Sequence, residues 1–305
     1  MKKQKSILII GGSGFLGYHL AVKCRKLKWK VTSISRNKPK KIRRVKGVDY
    51  KIFNTSIKKN FDKIKKKNFN YVVNLGGYIN HYDKVETYKN HFVTVKNLFY
   101  FFKKKNLDCF IQVGSSAEYG LVKSPQKESA IGSAKLIYGR SKLEATKFLL
   151  RAYKKFFFPV TILRFYLVYG PKQKIDRFIP LLIYSCIKKI DFIASHGKQK
   201  RDFLYVDDAI KVIINSIRNK NCRGEIINIG SGKPITLLKI INYINKKIGG
   251  IKILLGKIKV RTDEPIINYP SIRKAKKYLN LSNLISLEVG INKTIKQYKK
   301  EIKFF

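Results

Sequence analysis

The stretch Ser6–Gly17 reads SILIIGGSGFLG, a short apolar run that leads directly into a glycine-rich turn. The first five residues predict a buried strand, and apolar residues at helical spacing over Phe15–Lys28 predict the helix that follows. Gly11, Gly14 and Gly17 stand three apart where that helix opens. Such glycines let the turn tighten and let the backbone approach an anion at the helix N-terminus. The stretch therefore predicts a dinucleotide-binding strand, turn and helix.

The same alternation of strand and helix continues along the chain. Further strands are predicted at Lys30–Ser35, Tyr71–Leu75, Cys109–Val113, Val160–Phe165 and Glu225–Ile229, and helices at Tyr88–Lys105, Tyr138–Phe157, Arg177–Lys188 and Val206–Ile217. Strands that alternate with helices are typical of a parallel sheet covered on both faces. The expected fold is α/β, a Rossmann-type doubly wound parallel sheet with a smaller C-terminal substrate-binding lobe.

The domain division follows from the regular alternation of predicted strands and helices, which ends after Gly170. We expect residues 1–170, with 203–230 returning to them, to form the nucleotide-binding domain. Residues 171–202 and 231–305 are expected to form the substrate-binding lobe.

The composition is that of a folded but very basic chain. Hydrophobic residues make up 44% of the 305 residues, which excludes wholesale disorder. Lysine and arginine number 67 against 18 acidic residues, for a formal charge of +49. A charge of this size produces a positive electrostatic potential that favours anionic partners. Because the excess is spread along the chain and is not gathered in a tail, we expect no specific nucleic-acid binding.

The spacing of the cysteines and the length of the apolar segments argue against a disulfide-rich, a metal-binding or a membrane protein. The four cysteines are far apart and lack metal-ligand spacing, so we expect neither a disulfide framework nor a metal site. No stretch approaches the 18 or more apolar residues of a membrane-spanning helix, and no processing site follows the first apolar run. A cytoplasmic protein without membrane insertion is the expectation.

The end of the second predicted strand bears on the choice of cofactor. NAD sites place an acidic residue there for the ribose 2′-hydroxyl, whereas NADP sites place an arginine for the 2′-phosphate. Here Ser35 and Arg36 occupy the position. The sequence predicts a preference for NADP(H), with NAD(H) as the alternative.

A candidate catalytic group follows the fourth of the apolar strands. Tyr138 and Lys142 are four apart and share a helix face. A phenol needs a stabilised anion to act as an acid and base near neutral pH, and a nearby ammonium can supply that stabilisation. Ser115 and Ser116 stand where a parallel strand ends, at the edge where α/β sheets bind ligands.

These motifs, in this order, resemble the extended short-chain dehydrogenase/reductase family of nucleotide-sugar epimerases, dehydratases and reductases. Three later segments agree: LRFYLVYGP at Leu163–Pro171, GKQKRDFLYVDDAI at Gly197–Ile210 and INIGSGKPIT at Ile227–Thr236. The resemblance implies a catalytic set of Ser115, Tyr138 and Lys142. It implies cofactor contacts from Gly11, Gly14, Phe15, Leu16, Gly17, Ser35, Arg36, Asn54, Leu75, Gly76, Gly77, Tyr138 and Lys142. Substrate contacts are implied for Ser116, Leu167, Arg201 and Arg261.

The chain departs from the family pattern at several of these positions. Asn54 stands where the family has an aspartate, Gly76 and Gly77 where it has an alanine pair, and Leu167 where an asparagine is usual. His91 takes the place of the family's asparagine. For His91 and for His81 a packed or surface role is expected over contact with substrate.

Two catalytic readings remain open, and a non-catalytic one stays behind them. The acidic pair of the family's dehydratases is replaced by Ser116 and Ala117, and alternation should turn Glu118 to the other face, which disfavours a dehydratase. Arg36 favours a 4-keto reductase of a nucleoside-diphosphate 6-deoxy-4-keto-hexose. The alternative is a nucleotide-sugar C4 epimerase. A non-catalytic NADP-binding or nucleic-acid-binding protein is a weaker third reading. The resemblance also implies a homodimer through Tyr88–Lys105 and Tyr138–Phe157.

Overall fold

A parallel sheet of seven strands forms the centre of the molecule. The computed structural model describes residues 4–78, 80, 82–260 and 265–301. In chain order the described strands are β1 (Ser6–Ile10), β2 (Lys30–Ser35), β3 (Val48–Ile52), β4 (Tyr71–Asn74), β5 (Cys109–Ser115), β6 (Val160–Phe165), β7 (Leu167–Tyr169), β8 (Phe192–Ile193), β9 (Lys200–Arg201), β10 (Phe203–Tyr205), β11 (Ile226–Ile229), β12 (Ile235–Thr236), β13 (Ile253–Leu254) and β14 (Ile267–Asn268). The large sheet has the order β11-β6-β5-β4-β1-β2-β3. The direction of winding reverses at β1, which is where such sheets bind ligands.

Helices cover both faces of this sheet. The described helices are α1 (Phe15–Lys26), α2 (Lys84–Tyr88), α3 (Thr94–Phe102), α4 (Ile137–Phe156), α5 (Phe178–Lys188), α6 (Val206–Arg218), α7 (Leu237–Ile248), α8 (Arg273–Leu279) and α9 (Leu287–Glu301). Ile7 and Ile9 of β1 pack in the cluster that includes α1 and α6, and Leu8 and Ile10 pack on the other face with α3 and α4. None of the described helices combines the length and the hydropathy needed to cross a lipid bilayer. The observed architecture confirms the predicted doubly wound α/β fold.

A smaller lobe is built from the later elements. Helix α5 packs against α7 and α9, and the short strands form a three-stranded sheet β12-β9-β14 and a pair β13-β8. Helix α9 contacts the segment that follows β7, where Glu301 pairs with Lys172 and the Tyr298 hydroxyl donates to the carbonyl of Gln173. The division at residues 171–202 and 231–305 stays a prediction.

Two elements differ from the sequence expectation. Strand β3 was not among the predicted apolar runs because it lies at the sheet edge, where every one of its residues is half-exposed. The predicted helix Tyr88–Lys105 is instead α2 and α3 joined by a π-helical turn at Lys89–Val93. That turn carries His91, and π turns occur often at functional positions.

Candidate active site

The glycine-rich turn between β1 and α1 is closed by backbone contacts that leave no space for side chains. Gly11 has φ +78°, and its N–H donates to the carbonyl of Ile34 at 2.8 Å. A Cβ on Gly17 would lie 2.4 Å from the carbonyl oxygen of Gly11. Gly14 precedes α1 and offers its first N–H groups no side-chain cap. The turn therefore has the form of a cradle for a phosphate group at a helix N-terminus.

Neighbouring residues of the turn are fixed by packing. Phe15 and Leu16 are half-buried against the main hydrophobic cluster. Gly12, which the sequence reasoning did not single out, is also required, because a Cβ there would lie 2.2 Å from the Ser33 hydroxyl oxygen. The paired glycines in the sequence were the available signal.

The end of β2 carries Ser35 and Arg36 as predicted, and both have protein partners. The Ser35 hydroxyl accepts a hydrogen bond from the N–H of Ser13 at 3.1 Å, so it helps to close the glycine-rich turn. The Arg36 guanidinium lies over the ring of Tyr78, 4.9 Å from its centroid. Its Nη1 atom is 4.0 Å from a carboxylate oxygen of Glu86.

The remaining residues that were expected to contact the dinucleotide lie directly after β3 and β4. The Asn54 side-chain oxygen accepts from the N–H and the hydroxyl of Ser56, at 3.0 and 2.9 Å. The N–H of Leu75 donates to Ile10 at 3.0 Å, which continues the β1–β4 ladder. Gly76 donates its N–H to the Asn74 side chain at 3.0 Å.

Gly77 and His91 fit together sterically. A Cβ on Gly77 would lie 2.9 Å from Cε1 of His91. His91 is buried, its Nε2 is 3.2 Å from the backbone nitrogen of Tyr78, and its ring meets the Tyr138 ring edge-to-face at 5.0 Å between centroids. Gly77 and His91, which both depart from the family pattern, are therefore coupled, because the His91 ring fills the space that a side chain at position 77 would need. The burial of His91 agrees with the packed role expected for it.

The three predicted catalytic residues meet at the carboxyl end of β5. Ser115 is the last residue of β5, and its side chain hydrogen-bonds to the Tyr138 phenol. Tyr138 and Lys142 share a face of α4, and the Lys142 ammonium donates to the carbonyl of Val113 at 2.7 Å. The arrangement can hold a hydroxyl or carbonyl group between a serine and a tyrosine.

Burial dominates the titration of this group. It raises the pKa of Tyr138, while the hydrogen bond from Ser115 and the positive charge of Arg177 act in the opposite direction. Burial lowers the pKa of Lys142 to about 8, although the carboxylate of Glu118 opposes that shift. Arg177, at the start of α5, was missed in the sequence because nothing local links it to Tyr138.

Comparison with known proteins decides the family. The model of the NAD dependent epimerase/dehydratase family matches residues 7–230. This protein belongs to that family.

Two relatives of this family member are described as epimerases of UDP-sugars. It is 31% identical over 195 residues to the uncharacterized UDP-glucose epimerase YtcB of Bacillus subtilis, covering 63% of this chain and 61% of that protein. It is 35% identical over 148 residues to the UDP-glucuronate 4-epimerase of Thermodesulfobacterium geofontis, covering 47% and 44%. Both alignments span less than two thirds of the relative's length.

Among solved structures, the UDP-glucuronic acid 4-epimerase of Bacillus cereus, in complex with UDP-glucuronic acid and NAD, superposes with a TM-score of 0.84. Sequence identity is 25%, and the match covers 97% of this chain and 99% of that one. The fold of this family member is thus that of the solved epimerases.

Glu118, the acidic residue nearest the catalytic serine, is engaged in the interior. It is fully buried, and its carboxylate accepts from the Ser115 N–H at 2.9 Å, from Thr146 at 2.8 Å and from Arg164 at 2.8 Å. Ser116 opens the short turn Ser116–Tyr119 that Ser115 and Glu118 cap. The carboxylate acts as a structural anchor behind the serine.

Two of the predicted substrate residues, Leu167 and Arg201, lie on the smaller sheets. Leu167 is the first residue of β7 and is 46% exposed. The Arg201 guanidinium, on β9, donates to the carbonyls of Pro265 and Ile266 at 2.9 and 3.0 Å, and its contact with substrate stays a prediction. Arg261 and His81 lie outside the described residues.

Asp202 is a residue that the sequence reasoning passed over. It is buried, and its two carboxylate oxygens accept from the N–H groups of Ser231 and Gly232, each at 2.6 Å. Burial raises the pKa of Asp202, and these hydrogen bonds act against the shift. The signal was its position in the RDF segment, since the carboxylate ties that segment to the glycine turn after β11.

Proposed function

We propose that this protein is a nucleotide-sugar 4-epimerase that uses a bound nicotinamide dinucleotide. The observation that carries the proposal is the meeting of Ser115, Tyr138 and Lys142 at the carboxyl end of β5. The glycine cradle between β1 and α1 fits a pyrophosphate, because a Cβ at Gly11 or Gly17 would strike backbone atoms within 3.0 Å. Gly11, Gly14 and Gly17 would hold that group, and Lys142 the ribose beside the nicotinamide.

The chemistry needs one acid–base residue and one orienting residue. Tyr138 accepts the proton of the sugar 4-hydroxyl while C4 loses a hydride and becomes a ketone. The hydrogen bond from Ser115 and the charge of Arg177 oppose the effect of burial on the pKa of Tyr138, and so favour the phenolate that this step needs. Ser115 donates a hydrogen bond to the sugar 4-oxygen and orients it. When bound, the dinucleotide supplies the acceptor and then the donor of the hydride. Tyr138 returns the proton when hydride re-enters on the opposite face of C4, so the reaction has no net redox change.

The relatives favour the epimerase over the reductase. A UDP-glucuronate 4-epimerase is 35% identical over the aligned part, and a UDP-glucuronic acid 4-epimerase with NAD shares the fold. Arg36, on which the prediction of NADP(H) and of a reductase rests, lies beside a carboxylate. No observation tests the sequence prediction of NADP(H). Because of the carboxylate beside Arg36, we propose NAD(H) as the resident cofactor. A dehydratase is disfavoured because Glu118 is held by Arg164 and Thr146.

A substrate panel tests this proposal. The protein is incubated with UDP-glucose, UDP-glucuronic acid and nucleoside-diphosphate 4-keto-6-deoxy sugars, while nicotinamide absorbance and sugar composition are followed. We expect an epimerised UDP-sugar with no net change in the cofactor. Oxidation of NADPH matched to the loss of one keto sugar would instead establish the reductase.

The tyrosine gives the sharpest test of mechanism. Tyr138→Phe should lower turnover by about 10²-fold or more, because the proton acceptor is lost while dinucleotide affinity is nearly unchanged. Tyr278→Phe is the matched control, since Tyr278 is half-exposed on α8 and belongs neither to the proposed site nor to the proposed dimer interface. Unaltered turnover of Tyr138→Phe would remove the residue from the mechanism.

We also propose a homodimer through the outer face of α2, α3 and α4. Val85, Tyr100 and Phe156 expose 61%, 48% and 51% of their surface there. Apolar surface of this kind is often covered by a partner. Light scattering of the purified protein would give the mass, and a monomer at all concentrations would contradict the proposal.

A further inference from the structure

The arginine at the end of β2 is held between an aromatic ring and a carboxylate. The Arg36 guanidinium carbon is 4.9 Å from the centroid of the Tyr78 ring, and Nη1 is 4.0 Å from Oε2 of Glu86. Both charged side chains are about one-third exposed, at 37% and 32%. The ring and the carboxylate together restrict the position of the guanidinium.

Glu86 is itself held in place by its helix. Asp83 caps α2 by accepting from the N–H of Glu86 at 2.9 Å, and the Tyr78 hydroxyl donates to the other oxygen of Asp83 at 3.4 Å. The Asn90 side chain donates to Oε2 of Glu86 at 3.1 Å, and Lys89 is 3.3 Å from its Oε1. The carboxylate therefore has a defined position beside Arg36.

This position is where the two nicotinamide dinucleotides differ. In doubly wound folds the ribose 2′ group of the dinucleotide lies at the end of the second strand. The residue at the strand end itself, Ser35, is neutral and accepts from Ser13. Arg36 and Glu86 are therefore the opposite charges that the structure places together at this point, and Lys89 pairs with the other carboxylate oxygen of Glu86. A 2′-phosphate is attracted by Arg36 and repelled by Glu86, whereas a 2′-hydroxyl carries no charge.

We propose that Glu86 is a specificity-determining residue that neutralises Arg36 and makes this protein favour NAD(H) over NADP(H). The inference rests on the proposed function in so far as that function requires a bound dinucleotide. The carboxylate must be displaced, or its repulsion overcome, before Arg36 binds a 2′-phosphate. The acidic residue that NAD sites carry at the end of the second strand is supplied here from α2.

Dinucleotide binding by the full-length protein tests the inference without any sugar. Isothermal titration calorimetry gives the Kd of NAD⁺ and of NADP⁺ for the wild type and for Glu86→Gln, which keeps the length of the side chain and an oxygen for Asn90. We expect the ratio of the two Kd values to shift roughly tenfold toward NADP⁺, mainly because Arg36, released from its ion pair, becomes available for a charge-assisted contact with the 2′-phosphate.

Two further variants separate this effect from general electrostatics. Glu288→Gln makes the same change of net charge at an exposed residue of α9, and the Kd ratio should stay within about twofold of the wild type. In the background of Arg36→Gln the shift caused by Glu86→Gln should shrink to about threefold or less, because a large part of the effect acts through the arginine.

The outcomes separate this inference from the proposed function. If Glu86→Gln leaves the Kd ratio where Glu288→Gln leaves it, or raises the preference for NAD⁺, the specificity role of Glu86 is overturned even if the protein is an epimerase. If the ratio shifts as expected but no UDP-sugar is epimerised, the specificity role is supported and the proposed reaction is wrong.

Discussion

The buried pair of Glu118 and Arg164 should be the largest single electrostatic contribution behind the catalytic serine. Their side chains are 0% and 3% exposed, and Nε of Arg164 is 2.8 Å from Oε2 of Glu118. Glu118→Gln keeps the size of the side chain but leaves the arginine with a buried charge that nothing neutralises. Breaking a buried pair in this way costs about 3–5 kcal/mol, against a total stability of about 5–15 kcal/mol for a folded domain.

Urea unfolding followed by circular dichroism measures this cost. We expect the midpoint of Glu118→Gln to fall with little change in slope. Replacing both partners, as in Glu118→Gln with Arg164→Met, removes the uncompensated charge and should recover part of the loss. Asp108→Asn is the surface control, because Lys5 and Asp108 pair at 3.2 Å with side chains 48% and 43% exposed, and such pairs contribute about 0–1 kcal/mol. If Glu118→Gln costs no more than this control, the buried pair does not stabilise the turn after β5.

Two further predictions concern Lys142 of the catalytic group and Gly77, which packs against His91. Because burial lowers the pKa of Lys142 to about 8, its ammonium is present below that pH and lost above it, so kcat/KM should decline above about pH 8. Lys142→Arg should move this decline to higher pH, and an unchanged profile would assign the decline to another group. Gly77→Ala should lower the free energy of unfolding by about 1–3 kcal/mol, because the new Cβ lies 2.9 Å from the His91 ring. In a His91→Asn background that cost should fall by more than half, whereas strictly additive costs in urea unfolding would contradict the contact.

Central strands were predictable because their chemistry is local. The bounds of β1, β2 and β6 agree with the sequence prediction residue by residue. β1 and β6 are buried almost throughout, and a continuous apolar run bounded by turn residues is enough to indicate such a strand. Strand β3 reads VDYKI and was missed among those runs because an edge strand needs no such run. The π turn at Lys89–Val93 has no signature in hydrophobic periodicity.

The residues of the candidate site also fall into those that local sequence predicts and those that depend on tertiary contacts. The glycine cradle and the pair Tyr138 and Lys142 depend on spacing within one turn or one helix, so the sequence alone predicts them. Arg36 was identified as well, but its meaning depends on Glu86, which is 50 positions away in the sequence. A side chain brought close by tertiary folding changes the charge of the site, and no pattern local to Arg36 reports it.

The scarcity of acidic residues makes their placement informative. With 67 basic and 18 acidic residues, most carboxylates could find a lysine anywhere on the surface, where pairing contributes little. Several instead accept from backbone N–H groups at turns: Asp202 from Ser231 and Gly232, Asp83 from Glu86, and Glu118 from Ser115. Each of these turns lies beside a residue proposed for the site or within a family segment. At these turns the acids are held by backbone N–H groups, with the buried Arg164 as an additional partner of Glu118, so their positions do not depend on the surplus of surface lysines.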